Sequence, residues 1–368
     1  MCGLVRVDPI IRIGWLDVEG ARQVSLNGYN TTKITQFMPN LPPIVDTFGR
    51  IHRNLRVSVT DRCNIRCQYC MPEHVDFLPS TEVLSFEEIT RLVSLLAQMG
   101  INRVRLTGGE PLVRKDLPVL VKMLKSIDGI NDLAMTTNGV LLRRHASALK
   151  SAGLDRLNIS LDTLDPETFH RLTRRNVLSD VLDGIAAARE CGFEKIRLNA
   201  VSIAGLTEAA IVPLANFART HGLELRFIEF MPLDGDQNWG QDKVLDGEQI
   251  RSILEQEFGA LAAADRDYEA QPAMDFHYAD GTKVGFINPV SQPFCSACDR
   301  LRLTAEGKLR NCLFSLREWD VKDLIRSGAS EDSIESVVRE CIGNKKRGHG
   351  IDSVDFVRPQ KAMYQIGG

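Results

Sequence analysis

The 368-residue chain has no apolar run long enough to span a bilayer, which excludes a membrane helix. Its first residues lack the apolar core of a signal peptide, so a cytoplasmic location is expected. Internal repeats, low-complexity tracts and blocks of like charge are absent too. With a net charge of −3 and no basic block, nucleic acid is not an expected partner, although a local cationic pocket is compatible with that balance. The make-up is 43% hydrophobic and 25% charged, that of an ordinary soluble protein with a sizeable core in one large or two medium domains. A monomer or a homodimer fits this composition equally.

What the chain does have is nine cysteines. Without signs of secretion, and at this length, disulfide staples are not expected. Six of the nine form two tight groups: Cys63, Cys67 and Cys70 within eight residues, and Cys295 and Cys298 with Cys312 fourteen residues later. Cys2, Cys191 and Cys341 are left over, and Cys191 reads as a plain core or boundary residue. The first spacing is CxxxCxxC. Three thiolates on one short loop can hold three irons of a four-iron, four-sulfur cube and leave the fourth iron open to a substrate, whereas zinc asks for four ligands, usually paired as CxxC. The second group also leaves one metal position open. Its alternative is a structural zinc completed by Cys341 or His277.

From Leu55 onward the pattern is regular. Strands are expected at 55–59, 103–107, 133–136, 156–161, 196–201 and 225–230, with helices between them. Ser85-Phe86-Glu87-Glu88 has the form of a capping box ahead of Ile89, Leu92, Val93, Leu96 and Met99 at helical spacing. Six strands alternating with helices imply a parallel sheet with crossover helices. The expected fold is α/β, a partial (β/α)6 TIM-like barrel, with an open doubly wound sheet as the alternative. Three segments are expected: 1–45 as an N-terminal extension, disordered or non-native, with Met38 as an alternative start; 46–240 as the barrel; and 241–368 as a C-terminal extension that carries the second cluster and closes the barrel. Within the last, Glu248–Phe258 reads as a helix and 275–287 as a hairpin around Asp280-Gly281.

In a barrel, chemistry gathers at the C-terminal strand ends. There the sequence places the first cysteine loop, Gly108-Gly109-Glu110-Pro111, Thr136, Ser160 and Met231. The two glycines suggest close backbone approach to a ligand, and the carboxylate beside them suits an ammonium group. Arg300 and Arg302 alternate along an extended segment and so share a face. Two guanidinium forks beside an open iron suit a polyphosphate, the alternative being ordinary surface ion pairs.

CxxxCxxC followed by GGEP resembles the radical S-adenosylmethionine (SAM) superfamily. Adding Arg226-Phe227-Ile228-Glu229-Phe230-Met231-Pro232, CxxCDRLRL with its third cysteine, and the terminal Gly-Gly, residues 46–368 resemble one family within it, molybdenum-cofactor biosynthesis protein A, the GTP 3′,8-cyclases. The resemblance implies two [4Fe-4S] clusters, one on Cys63, Cys67 and Cys70 binding SAM, the other on Cys295, Cys298 and Cys312 binding the substrate. It further implies SAM contacts from Tyr69, Gly109, Glu110, Ser160 and Met231. GTP contacts are implied for Arg56, Arg105, Thr136, Arg300 and Arg302, with Arg197 standing where many members carry Lys. Gly367 and Gly368 correspond to a tail that matters for turnover. The partners implied are GTP, an electron donor of unknown identity and, functionally, a downstream cyclic pyranopterin monophosphate synthase.

Overall fold

Alternation of polar and apolar residues builds the sheet. A computed structural model describes residues 40–367. Its first six strands are β1 (Asn54–Ser58), β2 (Arg103–Thr107), β3 (Asp132–Thr137), β4 (Arg156–Ser160), β5 (Ile196–Ser202) and β6 (Glu224–Glu229), all parallel and paired in that order. Every second residue is apolar and buried, among them Leu55, Val57, Leu106, Met135, Ile159 and Phe227. These pack under the helices in one continuous core. The intervening positions carry Arg56, Arg105, Thr136, Asn158 and Asn199, which line a cavity. A parallel sheet covered on both faces usually reads as near-continuous apolar runs. Here one face is polar, so the inside of the curve is a lumen and not a core.

Ten helices accompany the strands among the described residues: α1 (Phe86–Gln98), α2 (Leu117–Lys125), α3 (Leu142–Ser151), α4 (Pro166–Thr173), α5 (Leu178–Glu190), α6 (Ile211–Thr220), α7 (Gly247–Phe258), α8 (Lys322–Arg326), α9 (Glu331–Gly343) and α10 (Met363–Ile366). Both halves of the capping box form, with Glu88 N donating to Ser85 Oγ at 3.1 Å and Ser85 N to Glu88 Oε2 at 2.7 Å. Helix α4 is an addition to the expected set. At 8 residues it is too short for a periodic signature, and its cues are local: Pro166 in the first turn and Asp165 capping Thr168 N at 2.7 Å.

The C-terminal region is not a separate lid. Its strands β7 (Ala262–Ala263), β8 (Met274–His277), β9 (Lys283–Ile287), β10 (Arg300–Leu303), β11 (Lys308–Arg310) and β12 (Trp319–Asp320) join the same sheet in the order β12-β11-β10-β1-β2-β3-β4-β5-β6-β9-β8-β7. Strand β10 runs parallel to β1 and β9 parallel to β6. The six expected strands are therefore flanked on both sides by parallel additions. The described residues form one compact unit, so the expected division near 240 does not separate two bodies. The hairpin at Asp280-Gly281 is present as the antiparallel β8–β9 pair.

The expected boundary at 45 also moves. Leu41 N and Ile44 N donate to Gln98 O and Met99 O at the end of α1, at 3.0 and 3.1 Å, and Ile44 is fully buried. The packed body has begun before residue 45. Residues 1–39 lie outside the described residues, as does Gly368.

Candidate active site

The glycine motif and the first cysteine loop are one construction. Gly109 N donates to Thr60 O and Glu110 N to Arg62 O, both at 2.8 Å. A Cβ on Gly108 would lie 2.3 Å from Thr60 O, and one on Gly109 2.4 Å from Arg62 O. The close approach these glycines allow is to the chain that leads into Cys63, while Gly109 also lines the cavity. Downstream, Arg66 N and Gln68 N donate to Thr173 O and Leu172 O at the end of α4, at 2.9 and 3.0 Å. Arg66 also donates to Cys63 O at 2.8 Å.

Two buried acids stand by this loop. Glu110 accepts from Leu112 N at 3.0 Å, Thr137 Oγ1 at 2.7 Å and Asn138 N at 2.6 Å. Burial pushes its carboxyl up to about 7 against the pull of those donors. Asp162 accepts from Tyr69 Oη at 2.6 Å and Val201 N at 2.8 Å, and burial pushes it up to about 6. Burial also raises the thiols, Cys63 to about 11 and Cys70 to about 12, with Cys67 shifted in the same direction.

The second triad has the opposite setting. Cys298 lies just before β10, and Cys312 just after the antiparallel β11, so both sit at the N-terminal end of β10. Because β10 is parallel to β1, the first triad is at the other end of the same strand pair. The five residues of β1 separate the two triads by roughly 16 Å at the usual rise per residue. Lys345 Nζ donates to Arg300 O at 2.9 Å and to Asn311 O at 2.6 Å. Burial raises the Cys298 thiol, but Arg300 and Lys345 outweigh it and hold the group at about 7. Neither proposed zinc partner faces this triad. Cys341 is fully buried in the core on α9, and His277 lies on β8 with its ring nitrogen at 3.3 Å from Gly281 O.

One cavity of about 340 Å³ is lined by all six cysteines. Tyr69, Gly109, Glu110, Ser160 and Met231 line it, as do Arg56, Arg105, Thr136, Arg197, Arg300 and Arg302. Arg302, Arg56 and Arg105 form a cross-strand row, in register on β10, β1 and β2. No ion pair to Arg56 or Arg105 forms among the described residues. Burial first, then the neighbouring arginines, hold both guanidiniums well below their ordinary range. Like charges this close, taken out of water and without counter-ions, are held at a cost that a bound polyanion would offset. Arg197 differs, since its Nε donates to Glu224 Oε2 at 2.6 Å. Arg300 lies over the Phe294 ring, 4.8 Å from its centroid.

Residues 57–218 match the Radical SAM superfamily and residues 223–351 match Molybdenum Cofactor Synthesis C. A GTP 3′,8-cyclase of Rhodopirellula baltica is 52% identical, over 88% of this chain and 92% of its own. Another, of Mycolicibacterium smegmatis, is 45% identical over 89% and 92% respectively. The chain belongs to the GTP 3′,8-cyclase family. Among solved structures, Streptococcus suis SuiB bound to S-adenosylmethionine shares the fold with a TM-score of 0.57 at 14% identity, covering 85% of this chain and 77% of that one. The anSMEcpe structure with bound AdoMet does so with a TM-score of 0.55 at 14% identity, covering 85% and 90%.

As a radical SAM enzyme, a member of this family binds a [4Fe-4S] cluster and SAM. The first triad fits that cluster. Its three cysteines line the cavity, and the polar side chains beside Cys63 Sγ are two amides, Asn138 Nδ2 donating at 3.7 Å and Asn64 Oδ1 at 4.0 Å, neither of them a thiolate or an imidazole. The C-terminal segment closes the space between the triads. Tyr364 packs with Cys63 and Cys70, while Ile366 and Met363 pack with Met231 and Cys312. Met231 is therefore both packing residue and cavity wall. Gly367 O accepts from Arg302, which brings the tail to the arginine row.

Sequence reading missed several residues of this family site. Arg103 lines the cavity with its guanidinium 4.2 Å from the Tyr268 ring centroid, and the alternation Arg103-Val104-Arg105 was the available signal. Asn138 and Asp162 were placed at strand ends by the sequence, in Thr136-Thr137-Asn138 and Ser160-Leu161-Asp162, but without a role. Lys345 had no local signal.

Proposed function

We propose that this chain is a GTP 3′,8-cyclase, converting GTP to (8S)-3′,8-cyclo-7,8-dihydroguanosine 5′-triphosphate in the first step of molybdenum cofactor biosynthesis. The observation that carries this reading is the shared cavity, with a cysteine triad at each end and a row of uncompensated arginines between them. In this reading Cys63, Cys67 and Cys70 hold the SAM-binding cluster. Cys295, Cys298 and Cys312 hold a second [4Fe-4S] cluster that receives the guanine. Bound and reduced, the first cluster supplies one-electron chemistry: cleavage of SAM and, through it, removal of the hydrogen at C3′ of GTP so that C3′ can bond to C8.

The chain's own residues bind and orient. Arg56, Arg105, Arg302 and Arg300 neutralise the triphosphate through charge-assisted hydrogen bonds, and Thr136 adds a hydroxyl. Arg197 enters with its charge already met by Glu224 and contributes less. On the SAM side Glu110 receives the ammonium, with Gly109, Ser160, Tyr69 and Met231 around the rest of the molecule. A carboxyl near 7 ionises readily when a cation arrives beside it. Anchoring the nucleotide at both ends restricts it to reactive geometries, which is the entropy contribution of positioning. The wall formed by α10 keeps stray hydrogen donors out. Gly367, held by Arg302, and Gly368 after it act in turnover. The reading requires an external one-electron donor and a consumer of the product, the cyclic pyranopterin monophosphate synthase, and it places the reaction in the cytoplasm.

Anaerobic incubation with SAM, dithionite and GTP is the test. 5′-Deoxyadenosine and a cyclised nucleotide should form in equal amounts. SAM cleavage without a GTP-derived product would overturn the assignment.

A further inference from the structure

At the second cysteine triad Cys295 O accepts from Cys298 N at 3.1 Å within a single 3-10 turn, and an arginine far away in sequence adds a second, charged donor there and reaches two further carbonyls of the segment packed beside it. Arg50 is 9% exposed. Its Nη1 donates to Cys295 O at 2.6 Å and to Arg347 O at 3.1 Å, and its Nη2 to Lys346 O at 2.9 Å. These partners lie 245, 297 and 296 residues along the chain. Buried carbonyls left without donors are costly, and the planar guanidinium fork can serve several at once where an ammonium cannot.

Arg50 is itself aimed. Asp46 closes the turn beneath it by accepting from Phe48 N at 2.9 Å and Arg50 N at 3.0 Å. Its other oxygen takes Arg50 Nε at 2.5 Å and faces His52 Nε2 at 3.2 Å. The Asp46 side chain is fully buried, and Val45 and Ile51 bridge across the turn. The segment that Arg50 grips then continues to Gly348, whose Cβ position would be 4.0 Å from Cys295 Cβ. One residue before the grip, Lys345 ties Arg300 O to Asn311 O, next to Cys298 and Cys312.

We propose that Arg50, oriented by Asp46, is the positioning residue of the second cluster, holding the Cys295 loop so that three thiols converge on one site. This rests on the assignment of a second cluster to Cys295, Cys298 and Cys312. Arg50 touches nothing in the first cysteine loop, whose carbonyl brace is Arg66. Its loss is therefore felt at one end of the cavity only.

Wild type, Arg50→Lys and Arg50→Met are reconstituted anaerobically and compared by iron and sulfide content, by the electron paramagnetic resonance of the reduced clusters, and by 5′-deoxyadenosine formation. About eight irons are expected in wild type and about four in Arg50→Met, with Arg50→Lys between them. SAM cleavage should stay within about twofold of wild type while cyclisation falls at least about a hundredfold. In cluster-free protein, alkylation of Cys295 should quicken several-fold in Arg50→Lys, with Cys63 and Cys70 unchanged. This last measurement does not depend on loading and reads Arg50→Lys, the variant that keeps the buried charge. Full iron content and unchanged Cys295 reactivity in the variants would overturn the role of Arg50. So would equal loss at both triads, which would mark a general structural role. A wild type with only about four irons would instead remove the second cluster itself, and the proposal with it.

Discussion

Around Cys63, Cys67 and Cys70 the bracing comes from close by: Arg66 on the loop itself, the glycine strand alongside and the end of α4. Around Cys295, Cys298 and Cys312 it comes from Arg50, some 245 residues earlier, and from Lys345. The charges differ in the same way. Glu110 and Asp162 flank the first triad and all its thiols are pushed up, whereas arginine and lysine flank the second and hold Cys298 at about 7, although burial still raises Cys295. The contrast teaches that one loop carries its site as a motif, while the other acquires its site only when the chain has folded.

The most severe way to break the comparison is to remove one end at a time. Cys67→Ser should lower 5′-deoxyadenosine formation by roughly a thousandfold or more. Cys298→Ser should lower cyclisation as far while SAM cleavage persists. Loss of both activities from either change would mean that the two ends are not separable.

Next come the arginines between them. Arg56→Ala and Arg105→Ala should each lower kcat/KM for GTP by about 10- to 150-fold, the worth of a charge-assisted hydrogen bond of about 1.5–3 kcal/mol. Arg197→Ala, whose charge Glu224 already meets, should cost about threefold or less. The same Arg56 and Arg105 changes should raise the melting temperature of the nucleotide-free protein, since each removes a buried cation that lacks a counter-ion. Equal losses at all three positions would contradict the distinction between free and paired arginines.

A smaller effect concerns assembly and pH. Metal binding needs thiolates, so a thiol whose pKa lies above the working pH must release a proton. All three thiols of the first triad are raised by burial; in the second, burial raises Cys295 as well, and the difference lies in Cys298, held at about 7. Lowering pH from about 8 to about 7 should therefore weaken iron uptake at the first triad by roughly tenfold more than at the second. Reconstitution of the two single-triad proteins at both pH values measures this. The smallest effect is expected for Arg66→Met, about 1 kcal/mol or less at the first site, because backbone bonds to Thr173 O, Leu172 O, Thr60 O and Arg62 O remain. A first-site loss as large as that in Arg50→Met would erase the difference in bracing.

The same contrast governs what could be read without a structure. Local signals carried far. CxxxCxxC located the first triad, the capping box located α1, and the strand at Arg103–Thr107 has the expected bounds. Alternation along that strand also held an unread signal, the polar lumen face to which Arg103 belongs. Pairings between distant segments had no such trace. Nothing in the Arg300–Leu303 run announces that it pairs with β1 and puts its cysteines at the far end of the barrel. Nor does anything near Arg197 announce Glu224, its partner across the β5–β6 register. The glycine pair was legible as a close approach, but not the chain that makes it. Residues 40–45 carry no periodicity and are fixed by two backbone bonds to the end of α1.

The proposed reaction needs one cavity with an open iron at each end. The most direct test is an anaerobic crystal structure with SAM and GTP bound. SAM should ligate the iron of a cluster on Cys63, Cys67 and Cys70, the guanine should meet a cluster on Cys295, Cys298 and Cys312, and the triphosphate should lie on Arg302, Arg56 and Arg105. A fourth protein ligand at either cluster, or GTP bound outside this cavity, would contradict it.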